Sequence, residues 1–169
     1  IYQCDWSSDV CSSDLEVVLV APIAGIVRDL ADVPDPVFSG RLMGSGAAIE
    51  PDEGPLLTAY APCSGVIAKL FPGGHAMVIE GPFGPVLLHF GIDTVELHGE
   101  GLRPTVAEGD RVTAGAPLVE IEVAALRGRG VNLISPVIGI AGQTVKLLAP
   151  LGARVAPGEP FLDLLPASA

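Results

Sequence analysis

Short apolar runs rich in β-branched residues recur along the chain at close, regular spacing. They lie at Val17–Val20, Gly25–Leu30, Leu56–Tyr60, Gly65–Leu70, Ala76–Glu80, Val86–Phe90, Pro117–Val123, Thr144–Leu148 and Phe161–Leu164. Each is bounded by Gly or Pro, which supply the backbone angles that tight turns need. Many short strands separated by turn signals predict an all-β sandwich or barrel. Helix is scarce: Glu122–Leu126 and Asp93–Glu96 can each hold one turn.

Two internal repeats support a duplicated architecture. APIAGIVRDL at Ala21 recurs as APCSGVIAKL at Ala61, and GDRVTAGAPL at Gly109 recurs as GARVAPGEPF at Gly152. Each unit supplies a strand entered through a Pro turn or left through a Gly turn. A pseudo-two-fold sandwich follows, in which each copy buries the other's apolar face.

Composition narrows the class. The opening segment IYQCDWSSDVCSSDL is rich in Ser, Asp and Cys and holds the only Trp. Its DWSSDVCSSDL matches the reading frame of a common sequencing adapter, so residues 1–15 are expected to be foreign sequence and residues 16–169 the domain proper. Setting them aside removes Cys4 and Cys11 and leaves Cys63 alone, expected to be a small buried apolar residue. A disulfide framework and a CxxC metal site are excluded, which suits a reducing, cytoplasmic setting. The net charge is −11, and −8 without Asp5, Asp9 and Asp14. An acidic domain is a poor match for nucleic acid or anionic lipid and suits a basic protein surface. The longest apolar run, Val17 to Val27, is too short to span a bilayer and contains Pro22.

Candidate chemistry centres on two histidines. His89 ends an apolar strand-like run and is followed by Gly91 and Asp93 in LLHFGIDTVELHGEG. His75 sits at a glycine-to-strand junction in FPGGHAMVIE. Neither has a Ser or Cys nucleophile beside it, so the imidazole itself is the group that would carry a substituent. His98, in a polar turn, reads as a solvated surface residue.

These segments resemble the glucose-type IIA component of the bacterial sugar phosphotransferase system. The resemblance runs from about Val17 to about Leu165 and includes APIAGIVRDLADVPDPVFSGRLMGSGAAIEP and APCSGVIAKLFPGGHAM; HFGIDTVELHGEG is its most specific part. It implies a sandwich built from duplicated hybrid motifs. It implies that His89 is phosphorylated and that His75 stabilises the phosphoryl group. It implies the histidine phosphocarrier protein as donor and the IIB domain of a sugar permease as acceptor, with the membrane reached only through that permease. Asp93 is then a carboxylate that either orients a ring or repels the phosphate towards transfer. Phe38, Phe71, Met77 and Phe90 are candidates for an apolar docking face. One departure stands out: Gly73 and Gly74 replace the polar pair usual before the assisting histidine.

The resemblance calls for no cofactor and no intrinsic metal, although His75 and His89 could share a zinc ion with a partner carboxylate. A zinc peptidase of the LytM type is excluded because no His-x-His follows His98. A biotinyl or lipoyl carrier is excluded because Lys69 and Lys146 lack the required setting. A regulatory binding protein gated by phosphorylation is the alternative function and is compatible with the first.

Overall fold

A computed structural model describes residues 17–167; the expectation of foreign sequence at residues 1–15 lies outside them. Fourteen strands occur in the order β1 (Val17–Val20), β2 (Gly25–Arg28), β3 (Ser45–Pro51), β4 (Leu57–Tyr60), β5 (Gly65–Leu70), β6 (Ala76–Gly81) and β7 (Gly84–His89), then β8 (Leu102–Pro104), β9 (Arg111–Val112), β10 (Pro117–Ile121), β11 (Ser135–Gly139), β12 (Thr144–Leu147), β13 (Arg154–Val155) and β14 (Pro160–Leu165). Among the described residues, helix is limited to α1 (Pro36–Ser39), α2 (Val123–Gly128) and short 3-10 turns. The all-β class read from the sequence is correct.

All pairings are antiparallel. One sheet of eight strands runs β13-β2-β3-β11-β7-β6-β5-β9, and two sheets of three run β1-β14-β12 and β4-β10-β8. The main core draws Leu19, Leu118, Leu162, Ile79 and Leu88 from all three sheets and adds Phe90, which follows β7. A smaller cluster lies on the other face of the large sheet and contains Leu30, Val33, Phe38, Ala48, Ala76, Leu87, Ile92, Ile134 and Ile138. Side chains alternate across a pleated strand. On β7, Val86 and Leu88 therefore enter the main core, while Leu87 enters the second cluster.

The strand order reads the same from either end once the repeats are matched. Gly25 pairs with Val155 and Ile26 with Arg154; in the other copy Gly65 pairs with Val112 and Val66 with Arg111. The turns before β2 and β5 exchange hydrogen bonds: Tyr60 N–H donates to Pro22 O at 2.8 Å, and Val20 N–H donates to Pro62 O at 2.9 Å. Both strands open on a glycine because the next strand passes very close. A Cβ on Gly25 would lie 2.1 Å from Glu50 O, and one on Gly65 would lie 2.3 Å from Glu80 O. One copy is β4 to β10; the other is β1 to β3 resumed at β11 to β14, with the first copy inserted between. Cys63 is buried, and desolvation pushes its thiol up to about 12, as expected of a structural residue.

Candidate functional site

The β6–β7 hairpin brings the two histidines together. His89 is the last residue of β7 and lies opposite Ala76, the first of β6. His75 immediately precedes Ala76, and its carbonyl accepts from Phe90 N–H at 2.7 Å. The turn that delivers His75 depends on its two glycines. Gly73 and Gly74 have φ of 78° and 77°, a region costly for other residues. A Cβ on Gly73 would meet the Gly99 nitrogen at 2.7 Å, so the turn packs flush against the 98–101 loop. In the absence of a polar side chain at this pair, the main chain takes over: His75 Nδ1 lies 2.8 Å from Pro72 O.

The ring centroids of His75 and His89 are 5.5 Å apart, with the planes at 69°. His89 Nδ1 lies 2.6 Å from Gly91 O. A carbonyl oxygen only accepts, so Nδ1 of each ring carries the proton. When the rings are neutral, both Nε2 atoms hold a free electron pair. His89 is half-buried, and its pKa is lowered from 6.5, chiefly by desolvation and further by the neighbouring His75. The hydrogen bond to Gly91 and the charges of Asp35 and Asp93 act the other way without overcoming it. The His89 ring is thus held neutral at physiological pH.

Asp93 lies at the exposed start of the Thr94–Leu97 turn, with a left-handed φ of 57°. It lines a cleft of about 350 Å³ with Ile92, Glu96, Arg129 and Asn132. The described hydrogen bonds of both rings go to main-chain oxygens, so Asp93 is not an orienting hydrogen-bond partner; it reaches His89 through its charge. Asp35, which the sequence did not single out, acts on His89 in the same sense. It also caps α1 by accepting from Val37 N–H at 2.9 Å.

The apolar docking set needs correction. Met77 and Phe90 are 0% and 1% exposed and face the main core. Phe90 directly follows His89, and neighbouring positions on an extended strand point to opposite faces. Phe38 is also buried and sets its ring edge on His89 at 5.1 Å, so it walls the histidine. Phe71 is half-buried and stacks obliquely on His75 at 5.9 Å. The exposed apolar side chains in these segments are Val37, Leu42 and Met43, in or just after α1, and Val95, beside Asp93. An apolar residue in a turn too short to bury it was the available sequence signal. His75 and His89 offer two ligands to a metal, and no group of three or more His, Cys, Asp or Glu side chains placed to hold one occurs among the described residues.

The fold and the histidine pair together define an all-β protein with a two-imidazole site, and comparison with known proteins gives the class a name. Residues 17–145 match the family described as phosphoenolpyruvate-dependent sugar phosphotransferase system, EIIA 1. The glucose-specific EIIA component of Bacillus cereus is 40% identical over 124 residues, covering 73% of each protein. A glucose-specific EIICBA component of Staphylococcus carnosus is 37% identical over 134 residues, which are 78% of this chain and 19% of that protein. The solved glucose permease IIA from Mycoplasma capricolum superposes with a TM-score of 0.80 at 31% identity, covering 89% of this chain and 96% of that one. The chain belongs to the EIIA 1 family of the sugar phosphotransferase system. No helix among the described residues is long and apolar enough to cross a membrane.

Proposed function

We propose that this protein is a phosphoryl carrier in which His89 accepts phosphate from the histidine phosphocarrier protein and passes it to a IIB domain. The observation that carries the reading is the histidine pair: rings 5.5 Å apart, each with Nδ1 on a main-chain carbonyl. The His89 Nε2 pair attacks phosphorus of the donor phosphohistidine. The donor's N–P bond breaks and its electrons return to the donor ring. The His89 ring gains positive character, which the Gly91 carbonyl accommodates at Nδ1–H. In the second step the thiolate of a IIB cysteine attacks phosphorus, and the electron pair returns to His89 Nε2. Phosphoryl transfer needs donors for the charge on its equatorial oxygens. His75, protonated at Nε2, is the donor in this reading, and its ring centroid lies 5.5 Å from that of His89. Exposed Val37 and Val95 lie two residues from Asp35 and Asp93, whose charges reach His89, and this mixture suits a partner surface with apolar and basic groups. Both partners meet this protein in the cytoplasm.

The test uses phosphoenolpyruvate, the two general phosphotransferase proteins and labelled phosphate. Wild-type protein should acquire acid-labile, alkali-stable label. His89→Gln should acquire none. His75→Gln should still be labelled but transfer onward slowly, by about 2–4 kcal/mol of lost transition-state stabilisation if His75 acts like an oxyanion donor. Label on His89→Gln and none on His75→Gln would reverse the assignment.

A further inference from the structure

The Gly91 carbonyl that holds the His89 ring is itself held. It belongs to the peptide unit joining Gly91 to Ile92, whose N–H donates to the Asn132 carbonyl at 2.8 Å. A peptide unit is planar, so bonds at its two ends fix its rotation. The preceding unit, Phe90 to Gly91, is fixed separately: its carbonyl accepts from Thr94 Oγ1 at 2.8 Å. Gly91 lies between these units at φ 79°, and glycine by itself restrains neither torsion. Hydrogen bonds from outside must therefore do so. Asn132 contributes a main-chain atom, which no substitution removes. Thr94 contributes a side chain, 1% exposed, with its methyl over Gly91: a Cβ there would come within 2.7 Å of Thr94 Cγ2. The Phe90 main chain also donates to the His75 carbonyl, so one residue's backbone joins both histidines to the Thr94 hydroxyl.

We propose that Thr94 is a positioning residue for phosphoryl transfer. Its hydroxyl holds the Phe90–Gly91 peptide so that the Gly91 carbonyl stays aimed at His89 Nδ1, keeping the proton there and the electron pair on Nε2. This rests on the reading of His89 as phosphate acceptor. If the Gly91 carbonyl turns away, the proton is free to move to Nε2, and that nitrogen then has no electron pair with which to attack phosphorus.

Thr94→Val removes the hydroxyl at nearly constant shape, and Thr94→Ser keeps it. Nitrogen-15 NMR of histidine-labelled, unphosphorylated protein reads the tautomer, and labelled uptake from the phosphocarrier reads the rate. Thr94→Val should show a mixed His89 tautomer and uptake slowed about tenfold, the scale of one hydrogen bond, with an unchanged KM for the carrier. Thr94→Ser should keep the Nδ1–H tautomer and stay within about twofold of wild type. A folded Thr94→Val with wild-type tautomer and rate overturns the proposal. Should Thr94→Val fail to fold, Thr94→Ser decides, because loss of the Nδ1–H tautomer there overturns the hydroxyl's role. Wild-type protein that shows the Nδ1–H tautomer yet takes up no phosphate overturns the acceptor reading alone; the tautomer change in Thr94→Val would then still support the clamp.

Discussion

The two copies of the duplicated unit share a scaffold and differ in what they can do. Counting from the matched glutamates, Glu80 paired with Val66 and Glu50 paired with Ile26, the position of Ala76 corresponds to Gly46. Ala76 faces His89; Gly46 faces Ile138. The copy with the histidine ends its β7 on the His89 imidazole, and the other places a buried isoleucine at the same point of the sheet. The connections differ as well. Residues 71–75 join β5 to β6 by the shortest route and deliver His75. Residues 29–44 join β2 to β3 by a long excursion that includes α1 and lays Phe38 against His89. Symmetry built the frame. The chemistry came from one sheet position and from unequal connections, one of which serves the opposite copy's site.

The sharpest way to break the comparison is to copy the histidines across. Ser45→His with Ile138→His should not yield a second phosphorylation site, because Ile138 is 1% exposed in the outer cluster. It should instead lower stability by about 2–4 kcal/mol, since a buried apolar side chain gives way to a polar one without a partner. Denaturant unfolding and phosphate stoichiometry check both halves; two labels per chain would show that burial in the outer cluster does not silence this copy.

The scaffold's equivalence is tested at Gly25 and Gly65. Each faces a carbonyl oxygen at a similar, prohibitive distance. Gly25→Ala and Gly65→Ala should each cost about 1–3 kcal/mol, the range for overpacking. Costs differing by much more than about 0.5 kcal/mol, the usual limit of additivity error, would show that the copies bear load unequally.

Acid pH probes the histidine-bearing copy alone. Burial holds His89 below its ordinary 6.5, so the ring stays neutral, and uptake should persist, somewhat below that pH. Protonation of His89 as pH falls further removes the electron pair and should stop uptake. Asp35 opposes the lowering, so Asp35→Asn should move the acid limb of the uptake profile to still lower pH. A shift to higher pH would mean that the carboxylate's charge does not reach the ring.

The smallest effect is expected where the copies differ only at the surface. Leu148 and Leu151 are exposed after β12, where the other copy carries Thr105 and Glu108 after β8. Leu148→Thr with Leu151→Glu should change unfolding free energy by less than about 0.5 kcal/mol, as distant surface substitutions do.

Much of the frame was legible in the sequence because its strands are marked by β-branched runs and its copies by shared Gly and Pro. The central strands β3 and β11 were not. Ser45–Pro51 is built of small residues because neighbouring backbone presses on it: a Cβ on Gly46 would sit 1.9 Å from Val137 O. Ser135–Gly139 contains Pro136, which ordinarily argues against a central strand, yet it pairs with Ala48 on one side while its neighbours pair with β7 on the other. At the site, the histidines and their turn could be read from HFGIDTV and the glycines. The partners that hold the rings could not, because they are the carbonyls of Pro72 and Gly91, and a main-chain oxygen leaves no trace in residue identity. The docking set was misjudged at Met77 and Phe90 because apolar character was read without strand parity.

The split of one copy around the other sets an order of events during synthesis. The histidine-bearing strands leave the ribosome before β11 to β14 exist, and β1 must wait for β14, since Val17 pairs with Leu164. Such distant pairings close late and slowly. Asn132, whose carbonyl steadies the Gly91 peptide, also belongs to the part made last. A nascent chain that already contains His75, His89 and the whole HFGIDTV stretch therefore still lacks an anchor for the carbonyl that holds the His89 ring. The geometry of the His89 ring is completed only as β11 to β14 join the first half, which ties the proposed competence for transfer to completion of the polypeptide.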